Sequence, residues 1–409
     1  MPGRVGDVPV RKTYDQLFRP LNVLVVDDMP AIRRMLYQML QLLGVQGDIL
    51  EAGDGQEAWE VLQERPFDLV VCDINMPRMN GLDLLRLLRA SPHYQTTPFL
   101  MISGEVSEDI VAASAESEVD GYLLKPFKID SLEEHLRAII KNRYRPSRGE
   151  SLFRKANELL LSGRAPEALA VLEELTQPPF RKQAKVLNLM GECHRSLGSQ
   201  GEAAHCFSEA LDLNPKFLRA YQNLAGVMES QGNLAAAQGY LEEARSLSPL
   251  NPERLYKLGQ LCLKTGDTDD AKQYLEESWR IGQYVPAGRH SEMAETFLAA
   301  GLEHVAEELF LQAIDDTPQD VHLYNRLGVA LRRQQKHERA LECYQQALKI
   351  NPKNEKVHFN LGVLYLDLGE KDKAQEAFEM ALQLRPNFNE AHTFLQRHFP
   401  QAELPASPA

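Results

Sequence analysis

The sequence predicts two fold classes in tandem: an α/β doubly wound five-stranded parallel sheet, followed by an all-α solenoid of paired helices. Between Leu21 and Arg143 short apolar runs alternate with stretches of helical period, and beyond Arg143 the strand signals stop. From there small residues recur every 34 positions, the mark of a repeat architecture. Length agrees, since 409 residues exceed one ordinary core and suggest two or three units.

Taken in order, an extension of residues 1–20 precedes the α/β domain, which is expected at 21–143. Its apolar runs are Asn22 to Val26, a weaker one at Asp48 to Glu51, then Leu69 to Cys72, Phe99 to Ile102 and Gly121 to Leu124. Near-continuous apolar runs separated by helices read as parallel strands covered on both faces. Ala31 to Leu43 and Gly55 to Glu64 carry the amphipathic period, the second after an Asp54-Gly55 turn. Residues 144–148 form a short basic linker containing Pro146.

The repeats are expected over 149–388. Small residues align at Gly191, Ala225, Gly259, Ala294, Gly328 and Gly362, then at Gly198, Gly232, Gly266, Gly301, Gln335 (in place of glycine) and Gly369. A third row runs Ala203, Ala237, Ala271, Ala306, Ala340 and Ala374, and most units close on proline, as at Pro215, Pro249, Pro318, Pro352 and Pro386. One extra residue near Pro286 shifts the register once. Small residues let two antiparallel helices approach, glycine supports the turn between them, and proline stops the second. A degenerate first unit, with Ala156, Gly163 and Ala168, brings the count to seven pairs. A capping helix is expected at 389–399 and a flexible tail at 400–409.

The composition, 44% hydrophobic and 25% charged, is that of a folded, water-exposed chain. Net charge is −13, with the extension at +2, residues 21–143 carrying 11 basic against 20 acidic side chains, and the remainder 30 against 36. Such an acidic chain lacks the electrostatic footprint of nucleic-acid or anionic-membrane binding, so neither DNA nor membrane insertion is expected. The five cysteines form no C-x-x-C pair and the eleven histidines show no metal-ligand spacing. Neither a zinc site, a disulfide framework nor turnover of a diffusible substrate is expected. The first 20 residues hold no apolar run, so a cytoplasmic location is expected.

Chemistry concentrates at the strand ends. Asp27 and Asp28 follow the first apolar run, Asp73 follows the third strand, Ser103 the fourth and Lys125 the fifth. In a doubly wound sheet these ends share the edge where ligands bind. Crowded carboxylates repel unless a cation is shared, and an all-oxygen set suits Mg²⁺. The segments Val25-Val26-Asp27-Asp28, Asp73 to Gly81 with Asn75 and Pro77, Ser103-Gly104-Glu105 and Gly121-Tyr122-Leu123-Leu124-Lys125-Pro126-Phe127 resemble the receiver domain of bacterial two-component response regulators. The resemblance implies that Asp73 accepts phosphoryl from a sensor histidine kinase or phosphotransfer protein. It further implies Mg²⁺ held directly by Asp28 and Asp73, by Asp27 through water and by the Asn75 backbone carbonyl. Lys125 would neutralise charge, Ser103 would bond the phosphoryl oxygen, and Tyr122 would turn inward with it as the switch. Glu105 reads equally as a gate for water and as an ordinary loop acid, and Lys125-Pro126 is a candidate cis peptide.

The spacing of leucine, glycine, tyrosine, alanine and proline, clearest over 321–388, is similar to the tetratricopeptide repeat. That resemblance implies a protein or peptide held in the groove, with Asn188, Asn223, Asn325, Arg326 and Asn360 as candidate contacts, one to three residues before the small residue of each first helix. The leading expectation is a phosphorylation-controlled regulator that signals through protein contacts, homodimerisation being left open. The alternative is a constitutive scaffold with a non-switching receiver-like domain. A transcription regulator would need a basic DNA-binding module, for which the 34-residue period leaves no room.

Overall fold

A computed structural model describes residues 18–400 except 19, 92, 95, 105–118, 145, 181–182, 283–284 and 286–287. Most of the extension, together with Glu105, Pro286 and the tail from Gln401, lies outside the described residues. The α/β part comprises β1 (Val23–Val26), α1 (Pro30–Leu42), β2 (Ile49–Ala52), α2 (Gly55–Glu64), β3 (Leu69–Asp73), α3 (Gly81–Ala90), β4 (Phe99–Ser103), β5 (Gly121–Leu124) and α4 (Ile129–Tyr144). All five strands pair in parallel in the order β2-β1-β3-β4-β5. Parallel pairing needs crossovers, and the amphipathic helices supply them.

Alternation along each strand sends side chains to both faces, and both are dry. On one face Val23, Val25, Leu69, Val71, Leu100, Ile102 and Leu123 pack with Leu36 and Leu40 of α1 and with Leu132, Leu136 and Ile140 of α4. The alternate residues Leu24, Val26, Val70 and Cys72 are also fully buried, as are Ala58 and Leu62 of α2 and Leu84 and Leu88 of α3. Because β1 and β3 lie side by side while their helices leave in opposite directions, a crevice opens at their carboxyl ends.

Fifteen helices follow among the described residues: α5 (Arg148–Leu161), α6 (Ala165–Thr176), α7 (Ala184–Ser196), α8 (Gln200–Leu213), α9 (Leu218–Ser230), α10 (Leu234–Leu247), α11 (Pro252–Thr265), α12 (Thr268–Ile281), α13 (His290–Ala299), α14 (Glu303–Asp316), α15 (Val321–Arg333), α16 (His337–Ile350), α17 (Glu355–Asp367), α18 (Lys371–Leu384) and α19 (Asn389–His398). The first fourteen alternate as pairs. By contact density the chain divides into two units, Met1–Arg254 and Leu255–Ala409, so the sheet shares its unit with α5 to α10.

The row of small residues is explained by what faces it. A Cβ on Gly191 would stand 2.4 Å from the Phe207 ring, and one on Gly328 2.4 Å from Tyr344. The second row marks turns with left-handed backbone, from φ +73° at Gly301 to +91° at Gly266. Gln335 takes the same conformation at φ 61°, which a side chain adopts only with strain. Gln335→Gly is therefore expected to raise the unfolding free energy by about 1 kcal/mol, measured by urea denaturation.

Candidate functional site

The dominant feature of the crevice is a single ammonium between two carboxylates. Lys125 Nζ lies 2.5 Å from Asp73 Oδ1 and 2.7 Å from Asp27 Oδ2. Asp27 is 1% exposed and Asp73 6%, so the charges meet largely out of water, where their attraction is little screened. Backbone geometry aims the lysine: its amide donates to the Ser103 carbonyl at 2.7 Å, which ties the chain after β5 to the end of β4. The Lys125-Pro126 bond is cis, as the motif suggests.

Burial pushes the Asp73 carboxyl above its ordinary value, against the opposing pull of the Lys125 hydrogen bond and charge. For Lys125 burial acts downward, but the bonds from Asp27 and Asp73 outweigh it and hold the ammonium above its usual range. The lysine thus remains a fixed positive charge beside the carboxylate.

The remaining expected residues take distinct positions. Asp28 is exposed at the mouth, next to the Asp27 carboxylate that accepts from the Met29 amide at 2.9 Å. Ser103 is 1% exposed at the end of β4, and Tyr122 is half-buried on β5. The Asn75 amide donates to Asp73 Oδ2 at 3.0 Å, which folds the loop after β3 over the carboxylate. Glycine is needed where that loop ends. A Cβ on Gly81 would stand 2.1 Å from the Asp73 carbonyl oxygen, while the Gly81 amide bonds the Ile74 carbonyl at 2.9 Å.

Among the described residues no three His, Cys, Asp or Glu side chains form a ready-made metal cage. The crevice instead offers Asp27 and Asp73 side by side, Asp28 at the mouth and the backbone of Asn75. That oxygen set fits Mg²⁺, which keeps several waters and takes one or two carboxylates.

Motif reasoning missed the brace beside the site. Asp54 caps α2 by accepting from the Gln56 and Glu57 amides, and Arg78 Nε reaches its other oxygen at 2.5 Å. Arg78 holds a left-handed backbone, φ 60°, to do so. The Asp54-Gly55 turn was a visible signal, but its partner lies 24 residues away.

The asparagines singled out in the repeats are brought together in pairs. Asn223 Nδ2 donates to Asn188 Oδ1 at 2.9 Å, and Asn360 Nδ2 to Asn325 Oδ1 at 2.9 Å. Asn188 also donates to Glu192 at 2.8 Å, while Arg195 donates to Asn223 at 3.2 Å. Asn188, Asn223 and Asn325 are buried, so their amides join first helices of successive pairs. Arg326 grips Glu295 with Nε and a terminal nitrogen, at 2.6 and 2.5 Å. All five cysteines are free thiols.

Comparison with known proteins assigns these parts. Residues 23–137 match the model of the response regulator receiver domain. Tetratricopeptide repeat models match 194–252, 229–283 and 355–388, and a TPR repeat model matches 330–369. The chemotaxis protein CheY-3 of Vibrio cholerae is 38% identical over 125 residues, 31% of this chain and 95% of that protein. CheY of Pseudomonas aeruginosa is 37% identical over 121 residues, 30% of this chain and 97% of that protein. Among solved structures, CheY4 of Vibrio cholerae is 33% identical, with 29% of this chain and 98% of that chain covered and a TM-score of 0.28. YrrB, described as a TPR protein with an unusual peptide-binding site, is 19% identical, covering 47% and 99% with a TM-score of 0.39.

Proposed function

Because the chain belongs to the response regulator receivers related to CheY, with tetratricopeptide repeats fused behind the receiver, we propose that it is a phosphorylation-controlled regulator acting through protein contacts. The observation that carries this reading is the Lys125 ammonium bridging Asp27 and Asp73 at the carboxyl ends of β1, β3 and β5.

In the proposed reaction an Asp73 carboxylate oxygen attacks the phosphorus of a phosphohistidine on a kinase or phosphotransfer protein. The O–P bond forms as the N–P bond breaks, and the histidine nitrogen keeps the electron pair. Lys125 neutralises charge on the transferring oxygens, and the folded loop with Asn75 orients the carboxylate. Mg²⁺, held by Asp28, Asp73 and the Asn75 carbonyl, with Asp27 acting through water, would supply further charge stabilisation when bound. Ser103 then bonds the new phosphoryl group, and Tyr122 follows it inward. Residues 21–143 and 149–388 serve as input and output, in the cytoplasm and independently of DNA. The repeats hold a protein or peptide, with the half-buried Arg326 and Asn360 as candidate contacts, while Asn188, Asn223 and Asn325, expected among them, are buried and bonded within the array.

Phosphate uptake from acetyl phosphate is expected to require Mg²⁺ and to be lost in Asp28→Ala together with metal binding, followed by titration of Mg²⁺ and acid-quenched label. Undiminished uptake by Asp28→Ala, or by protein in chelator, would refute the metal assignment, whereas no uptake by the wild type would favour the constitutive scaffold.

A further inference from the structure

The turns that join one helix pair to the next are mostly exposed. In 214–216, 316–320, 351–353 and 385–387 every residue is open to solvent. The turn between α10 and α11 differs. Ser248 is fully buried, and Pro249 and Leu250 after it are half-covered. Its sequence differs in parallel: Ser248 and Leu250 stand where two other turns carry asparagine and lysine, Asn214 with Lys216 and Asn351 with Lys353.

A receiver helix reaches this turn. Arg86 of α3 donates to the Leu250 carbonyl at 3.1 Å, across 164 residues of sequence. The arginine is held by Asp83 at 2.8 Å, and Asp83 is 8% exposed. Glu253, at the start of α11, is close enough to add to the upward push that burial gives the Asp83 carboxyl. Asp83 is fixed in turn by Asn80, which caps α3 by accepting the Asp83 amide at 2.9 Å and donates to its carboxylate at 2.9 Å. Asn80 adjoins Gly81, the residue packed on the Asp73 carbonyl.

We propose that the turn Leu247–Asn251 is a docking site for α3 of the chain's own receiver, and that this contact carries the state of Asp73 into the repeats. The second half rests on the phosphoreceiver reading above. A phosphoryl group on Asp73 adds charge and bulk at the end of β3, and Gly81, where the loop ends, packs directly on the Asp73 carbonyl. The displacement passes to the α3 cap, through Asp83 to Arg86, and so to Leu250. An ordinary surface arginine would not be matched by a turn that carries leucine where two others carry an exposed lysine.

Amide hydrogen exchange of the full-length chain tests both halves, with Mg²⁺ and beryllofluoride as the phosphoryl mimic. Without the mimic, Arg86→Ala and, on the other side, Leu250→Lys are each expected to speed exchange over 247–254 by about tenfold or more. The mimic should change exchange over 247–254 in the wild type and not in Arg86→Ala, while the loop 73–81 responds in both. Equal exchange at 247–254 in wild type and both variants would overturn the docking site. A mimic response confined to 73–81 in the wild type would leave the docking standing and overturn its signalling role. No response at 73–81 would instead strike the phosphoreceiver reading, and the signalling role with it.

Discussion

Asp73→Asn protein is expected to lose phosphate uptake from acetyl phosphate by at least about 1000-fold while keeping its fold. A carboxamide has no anionic oxygen to attack phosphorus; it matches the carboxylate in shape but keeps one acceptor, so of the bonds from the Asn75 amide and Lys125, which end on different oxygens, only one survives. The substitution also removes the cost of burying the Asp73 charge, which together with the nearby Asp27 outweighs the pull of Lys125, so stability should hold or rise slightly. Rates of label incorporation, with circular dichroism as the control for folding, measure both. Uptake within tenfold of the wild type would place the phosphoryl group elsewhere.

Gly81→Ala is expected to have the next largest effect, because the new Cβ meets backbone rather than a yielding side chain. At 2.1 Å from the Asp73 carbonyl oxygen it forces the end of β3 or the start of α3 to move, and the Cys72 sulfur at 3.1 Å closes another direction. Overpacking of this kind costs about 1 to 3 kcal/mol, and here the relaxation displaces the phosphoacceptor itself. Uptake should fall by about tenfold or more in protein that remains folded, with a matching loss in urea midpoint. A variant with unchanged stability and uptake would mean that the loop has slack, which would also weaken the proposed route through α3.

Much of the receiver was legible because its chemistry lies at strand ends that apolar runs delimit. Asp27, Asp73, Ser103 and Lys125 are placed by topology alone once the runs are read as parallel strands. The 34-residue period likewise exposes the helix pairs, since Gly191 and Gly328 must be small to admit Phe207 and Tyr344. What escaped depends on contacts between distant segments. Periodicity gave the phase of Asn188 and Asn223 on their helices but not that the two amides meet. Nor does any local pattern announce that Arg78 turns to Asp54 or that Arg86 reaches Leu250. Leu250 did leave a trace, a leucine in a turn position that two other turns fill with lysine, visible only by comparing turns with one another. The division of the chain near Arg254 falls inside the repeats, where composition and period continue without a break.

Acceptance of a phosphoryl group by Asp73 can be read by peptide mass spectrometry of the full-length chain after acetyl phosphate and Mg²⁺. One phosphoryl group is expected on the peptide bearing Asp73, removed by alkali and absent when Mg²⁺ is chelated. An unmodified Asp73 peptide under conditions that label a known receiver, or label carried by a different residue, would contradict it.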